Sequence, residues 1–91
     1  MVTEVETRNA RPGQRKRKLT DGHGLYLSVL PTGTKSWRWK YRYAGREKRL
    51  VLGPYPLISI KRARELRDQA RAKLLQGIDP AAERRTARAA V

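Results

Sequence analysis

Arg38, Lys40 and Arg42 alternate strictly with Trp37, Trp39, Tyr41 and Tyr43 through the run SWRWKYRY. A cation at every second residue is suited to donating hydrogen bonds to anionic or electron-rich oxygens. In an extended strand successive side chains point to opposite faces, so this spacing puts the aromatic rings on one side and the cations on the other. One face suits a core and the other a polyanion.

Covalent and metal chemistry find little material. The chain has no cysteine, which removes disulfides and thiolate metal sites, and its single histidine, His23, sits in the glycine-rich turn DGHG. His23 with Asp21 nearby makes two possible ligands, too few for a metal centre. DGHG leads into a strand and lacks the spacing of a phosphate-binding glycine loop. No nucleophile, base and orienting group can be assembled, so a non-catalytic chain without a cofactor is expected.

The 91 residues include 22 Lys and Arg against 8 Asp and Glu, a net charge of +14 and a sequence pI near 11.3. Such a balance favours nucleic acid or an anionic membrane surface as partner. A membrane span needs roughly 20 apolar residues, and none of the chain has that composition. The opening MVTEVETRNARPGQRKRKL carries acids and no apolar run, unlike a secretory signal. No membrane partner is expected, and a reducing cytoplasm fits.

The elements that position the cations can be laid out along the chain. Residues 1–17 read as a flexible basic arm ending in Arg15, Lys16 and Arg17, and Lys18 completes the cluster at the start of the domain. LYLSVL (25–30) reads as a first strand, PTGTK as a five-residue loop, SWRWKYRY (36–43) as a second strand, Ala44-Gly45 as a two-residue turn and REKRLVLG (46–53) as a third. Counting back from the turns sets Trp39 opposite Leu50, Trp37 opposite Leu52 and Lys40 opposite Arg49, with Leu27 opposite Trp39. Both hairpins then put their apolar residues on one face. PYPLIS is a connection, and Ser59 caps a helix over residues 60–76, ending before Gly77. Ile60, Ala63, Leu66, Ala70 and Leu74 form its apolar stripe. The expectation is an α+β domain over residues 18–80, a three-stranded antiparallel sheet packed on one face by a C-terminal α-helix. Residues 81–91 read as the start of a linker towards a missing core-binding or catalytic region.

In this register the outer face carries Tyr26, Ser28, Arg38, Lys40, Arg42, Glu47, Arg49 and Val51. Any half-exposed strand shows polar residues to water, but Lys40 directly opposite Arg49 costs stability, on the order of a few tenths of a kcal/mol. Tolerating that repulsion implies an absent anionic partner. Helix charges, by contrast, are expected to pair within the helix, Arg64 with Asp68 among them. The apolar face takes Trp37, Trp39 and Tyr41 inward and leaves only Tyr26 outside for stacking on unpaired bases, which favours a duplex. B-DNA's major groove admits a β-ribbon and that of A-form RNA does not, so DNA is favoured over RNA. The candidate DNA-binding residues are Tyr26, Ser28, Lys35, Arg38, Lys40, Arg42 and Arg49 with the arm residues Arg15, Lys16, Arg17 and Lys18. RNA binding and protein interaction are the alternatives.

Several motifs then fall in order. Asp21-Gly22-His23-Gly24-Leu25-Tyr26-Leu27, Gly33-Thr34-Lys35-Ser36-Trp37-Arg38-Trp39, Leu52-Gly53-Pro54-Tyr55-Pro56, Ser59-Ile60, Ala63-Arg64 and Gly77-Ile78-Asp79-Pro80 together resemble the N-terminal domain of phage and genomic-island integrases, which are tyrosine recombinases. The resemblance covers roughly residues 17–85. It implies a sheet backed by a helix that binds arm-type DNA sites flanking a recombination core, with the sheet in the major groove. It also implies a bacterial, nucleoid-associated protein whose partners are double-stranded DNA and possible further integrase protomers or an accessory factor. His23 stands where the family has glycine and Ala44 where it has a turn-forming Asn. The family's catalytic Arg, His-x-x-Arg and nucleophilic Tyr belong to a later domain, so Tyr26, Tyr41, Tyr43 and Tyr55 are not that nucleophile.

Overall fold

The computed structural model describes residues 3–11, 13 and 17–89, with backbone alone for Arg17 and residues 85–89. The expected strands and helix are present with additions at each end. Four strands, β1 (Arg17–Gly22), β2 (Leu25–Val29), β3 (Lys35–Tyr43) and β4 (Arg46–Pro54), form one sheet. They lie in the order β1-β2-β3-β4, each antiparallel to the next. Helix α1 (Glu4–Asn9) precedes the sheet, and α2 (Ile60–Leu75) and α3 (Pro80–Ala89) follow it.

The fourth strand corrects the expected three. β1 takes up the end of the region read as an arm and satisfies the edge of β2 that would otherwise lie open, with Leu19 opposite Leu27 on the core side and Lys18 opposite Ser28. A single apolar residue in RKLTDG was too short a pattern to announce a strand. The hairpin turn is His23-Gly24, with φ of 52° and 87°, and the β3–β4 turn Ala44-Gly45 has the same hand, 53° and 77°. Positive φ at both central residues matches the right-handed twist of the flanking strands. Glycine is obligatory at position 24, since an added Cβ would lie 2.2 Å from the Lys40 carbonyl oxygen.

β2 pairs with β3 two residues nearer the turn than expected. The Leu30 N–H donates to the Thr34 carbonyl, and the register places Leu27 opposite Trp37 and Leu25 opposite Trp39. This differs from the expected pairing by two residues, and an even shift leaves every side chain on its expected face. The β3–β4 register holds from Tyr43 opposite Arg46 to Arg38 opposite Val51, then a bulge sets Trp37 against Gly53 instead of Leu52. Position 53 has no room for a larger residue, because a Cβ would meet Ile58 Cγ1 at 2.5 Å.

α2 starts where Ser59 Oγ accepts from the Arg62 N–H at 3.1 Å and closes with the Ile78 N–H on the Lys73 carbonyl, Gly77 supplying φ of 83°. Its buried residues are Ala63 and Ala70. Such small side chains let it lie close on the aromatic face, where Leu25, Leu27, Val29 and Trp37 surround Ala63, and Trp39, Tyr41 and Leu50 surround Ala70. Both indoles are satisfied, Trp37 Nε1 donating to Ile58 O at 2.8 Å and Trp39 Nε1 to His23 O at 2.9 Å.

Two buried carboxylates tie the layers together. The β1–β2 register slips between Thr20 and Gly22, which leaves Asp21 as an extra residue aimed at α2. It receives Arg64 through Nε at 3.1 Å and a terminal nitrogen at 2.8 Å, and Arg67 at 3.4 Å. Arg64 therefore pairs across the fold and not with Asp68, which takes Arg67 Nε at 3.0 Å. The second, Asp79, accepts from Tyr41 Oη at 2.5 Å and from Lys48 Nζ, and caps α3 through the Ala81 N–H at 3.1 Å. The segment from residue 81 thus continues as a helix, held by a Lys73–Glu83 ion pair and by Arg84 donating to the Val51 carbonyl.

Candidate nucleic-acid interface

The sheet has one face under α2 and one face turned away from it. Strand alternation and register bring Lys18 from β1, Tyr26 and Ser28 from β2, Arg38, Lys40 and Arg42 from β3, and Glu47, Arg49 and Val51 from β4 to the outer face. Lys18, Lys40, Arg42, Arg49 and Val51 are exposed and Arg38 is half-buried. Among the described residues the face therefore carries five cations and one carboxylate.

Lys40 stands directly opposite Arg49, as expected. Glu47, whose register partner is Arg42, gives its carboxylate to Lys40 instead, Nζ to Oε1 being 2.7 Å. That hydrogen bond from Lys40 is the main influence holding the Glu47 carboxyl below its ordinary range, with the Lys40, Arg49 and Arg42 charges adding to it. Arg38 behaves differently from its neighbours. Its Nε is buried without a hydrogen-bond partner, and it makes no ion pair among the described residues.

The expected exposure of Tyr26 and Ser28 is corrected: Tyr26 is 3% exposed and Ser28 fully buried. With β1 present, β2 is an interior strand. Lys18 Nζ lies 4.4 Å from the centre of the Tyr26 ring, and Arg38 stands opposite the same residue on the other side. The Tyr26 hydroxyl and the Ser28 Oγ also lack partners. Lys35, expected in a loop, is the first residue of β3, and its ammonium donates to the Thr7 and Arg8 carbonyls at 3.0 and 3.3 Å. It closes the C-terminal end of α1, where a cation suits the helix dipole.

Of the basic cluster, Lys18 joins the outer face as a strand residue, whereas Arg15, Lys16 and the Arg17 side chain lie outside the described residues. α1 was legible in principle: Thr3 accepts from the Glu6 N–H at 3.2 Å, the capping pattern of a Thr followed three residues later by Glu. Asp21 and Asp79 carried no local signal for their roles, because their partners lie dozens of residues away. Among the described residues no group of His, Cys, Asp and Glu is placed to hold a metal ion, and no helix is long and apolar enough to cross a membrane.

A cationic sheet face backed by a helix is the architecture the sequence motifs anticipated. The profile of the Arm DNA-binding domain family matches residues 2–87, nearly the whole chain. The chain belongs to that family. The arm domain is 44% identical over 88 residues to the integrase of Enterobacteria phage P4, a match covering 94% of this chain and 20% of that protein. It is 40% identical over 80 residues to the integrase of Shigella phage Sf6, covering 88% of this chain and 21% of the relative, and the prophage integrase IntS of Escherichia coli (strain K12) matches at the same values. The chain thus spans about a fifth of the length of these curated relatives. The family match takes in α1 and β1 as well as the strands and helix legible in the sequence.

Proposed function

We propose that this arm domain binds double-stranded DNA sequence-specifically, through the outer face of its sheet in the major groove, and tethers an integrase-type recombinase to arm-type sites. The observation that carries the reading is the excess of cations on the outer face, where the described residues bring Lys18, Arg38, Lys40, Arg42 and Arg49 together against the single carboxylate of Glu47. Glu47 pairs with one of these cations, Lys40, and the charge left over suits a polyanion.

Dimensions decide which strands enter the groove. Strands lie about 4.8 Å apart and the major groove of B-DNA is about 12 Å wide, so a two-stranded ribbon fits where four strands side by side do not. β3 and β4 carry Arg38, Lys40, Arg42 and Arg49, and their guanidinium and ammonium groups can donate to guanine O6 and N7. β1 lies about 10 Å from β3, which suits Lys18 for a phosphate at the groove wall. Arg15, Lys16 and Arg17 add charge to the same basic stretch of sequence, suited to phosphates. Lys35 acts differently, by holding α1.

The parent protein is on this reading a tyrosine recombinase of the bacterial cytoplasm whose catalytic residues lie outside the arm domain, and which meets other protomers or an accessory factor on DNA. Arg38→Ala and Lys18→Ala separate base reading from phosphate contact. Arg38→Ala is expected to lower discrimination among duplexes by roughly 1–3 kcal/mol at one position, and Lys18→Ala to weaken all duplexes alike while reducing the salt slope by about one. Anisotropy titrations of a panel of duplexes at several salt concentrations distinguish the two, and an equal loss on every sequence from Arg38→Ala would refute its role.

A further inference from the structure

Resting on the reading of the sheet as a major-groove surface, we infer that Val51 is a specificity-determining residue which reads the 5-methyl group of a thymine beside the base contacted by Arg38. Val51 is 50% exposed, the one exposed large apolar side chain that the described residues bring to this face. It stands directly opposite Arg38 in the β3–β4 register. Side chains paired in this way have Cβ atoms roughly 5 Å apart, and successive base pairs are about 3.4 Å apart, so the pair spans neighbouring bases.

A short side chain and a long one reach the same groove floor only if the long one is laid down. Burial of Arg38 Nε meets that condition, because a side chain sunk as far as its Nε projects less far from the sheet than a fully extended one. The backbone at Val51 is held too, its carbonyl accepting from Arg84 of α3. The isopropyl group is therefore presented from a fixed position on an edge strand. An apolar side chain in the major groove distinguishes thymine from the other bases by its methyl, and a guanidinium distinguishes guanine by O6 and N7. Together they specify a thymine next to a guanine.

The test uses the duplex recovered from a random pool by the full chain, resynthesised with deoxyuridine in place of each thymine in turn. Deoxyuridine pairs like thymine and lacks only the methyl. The expected result is that one such replacement, adjacent to the guanine at which Arg38→Ala loses discrimination, weakens binding roughly three- to fivefold, the effect of one methyl group returned to water. Val51→Ala should bind the thymine and deoxyuridine duplexes equally, and its unchanged melting temperature would show that the sheet is intact. If no replacement matters to the parent chain while Arg38→Ala still relaxes preference, the inference fails and the groove reading stands. An equal penalty in Val51→Ala also overturns it, since another group then reads the methyl. Recovery of no motif at all would remove the groove reading and this inference with it.

Discussion

Asp21→Ala removes the carboxylate on which β1 and α2 meet, and its cost can be worked from the geometry. The group receives the Arg64 fork at 3.1 and 2.8 Å and Arg67 at 3.4 Å. Its side chain is 1% exposed, that of Arg67 11% and that of Arg64 31%. The hydrogen bond from Arg64 to Asp21 raises the guanidinium's already high pKa against the opposing effect of burial. Breaking a buried pair by removing one partner costs about 3–5 kcal/mol. Water can re-solvate the part of Arg64 that is open and Arg67 keeps Asp68, so roughly 2–4 kcal/mol is expected here. In a domain of this size each kcal/mol moves the melting temperature by about 4–8 °C, which puts the fall near 10 °C or more. Circular-dichroism melting of the single and double alanine variants measures it, and the Asp21–Arg64 cycle should show a coupling of at least about 1 kcal/mol. Melting of Asp21→Ala within about 0.5 kcal/mol of the parent, or an additive cycle, would refute the assignment of this pair as the tie between β1 and the helix.

Other perturbations have calculable directions. Ala44 holds φ of 53°, so Ala44→Asn should raise stability by about 1 kcal/mol, read as a higher melting temperature. Burial works to raise the Asp79 pKa, but hydrogen bonds from Lys48, Tyr41 and the Ala81 N–H and the Lys48 charge outweigh it and hold the group below 3.8. Its stabilisation is therefore full above that value and is lost as pH falls through the lower folded value; Asp79→Asn, which keeps the helix cap, should flatten the acid limb of melting temperature against pH. Glu47→Gln frees Lys40, so it should tighten binding to every duplex at low salt, and anisotropy showing no gain would argue against Lys40 as a contact.

The parts of the fold visible in the sequence are those with local rules. The alternation in SWRWKYRY, the Ala44-Gly45 turn, Ser59 at the start of α2 and Gly77 at its end each placed an element, and Ala63 and Ala70 are buried as their spacing required. The candidate site was legible where it depends on the β3–β4 register, which set Lys40 against Arg49. It was not legible at Tyr26 and Ser28, because their burial depends on β1, whose single Leu19 gave no periodicity. Lys35 looked like a free cation because its acceptors are backbone carbonyls of α1, invisible to any charge count. Arg64 had a carboxylate four residues away on its own helix and took a distant one, the bulged Asp21, where burial makes the pair stronger.

The central claim is that the outer sheet face reads DNA sequence, and selection from a random duplex pool tests it most directly. The parent chain and an Arg38, Lys40 and Arg49 triple alanine variant would be incubated with the pool at low and near-physiological salt, and the retained duplexes sequenced. The account predicts one motif enriched by the parent at both salts and absent with the variant. Binding that collapses with salt and enriches nothing, or the same motif recovered by the variant, would contradict it.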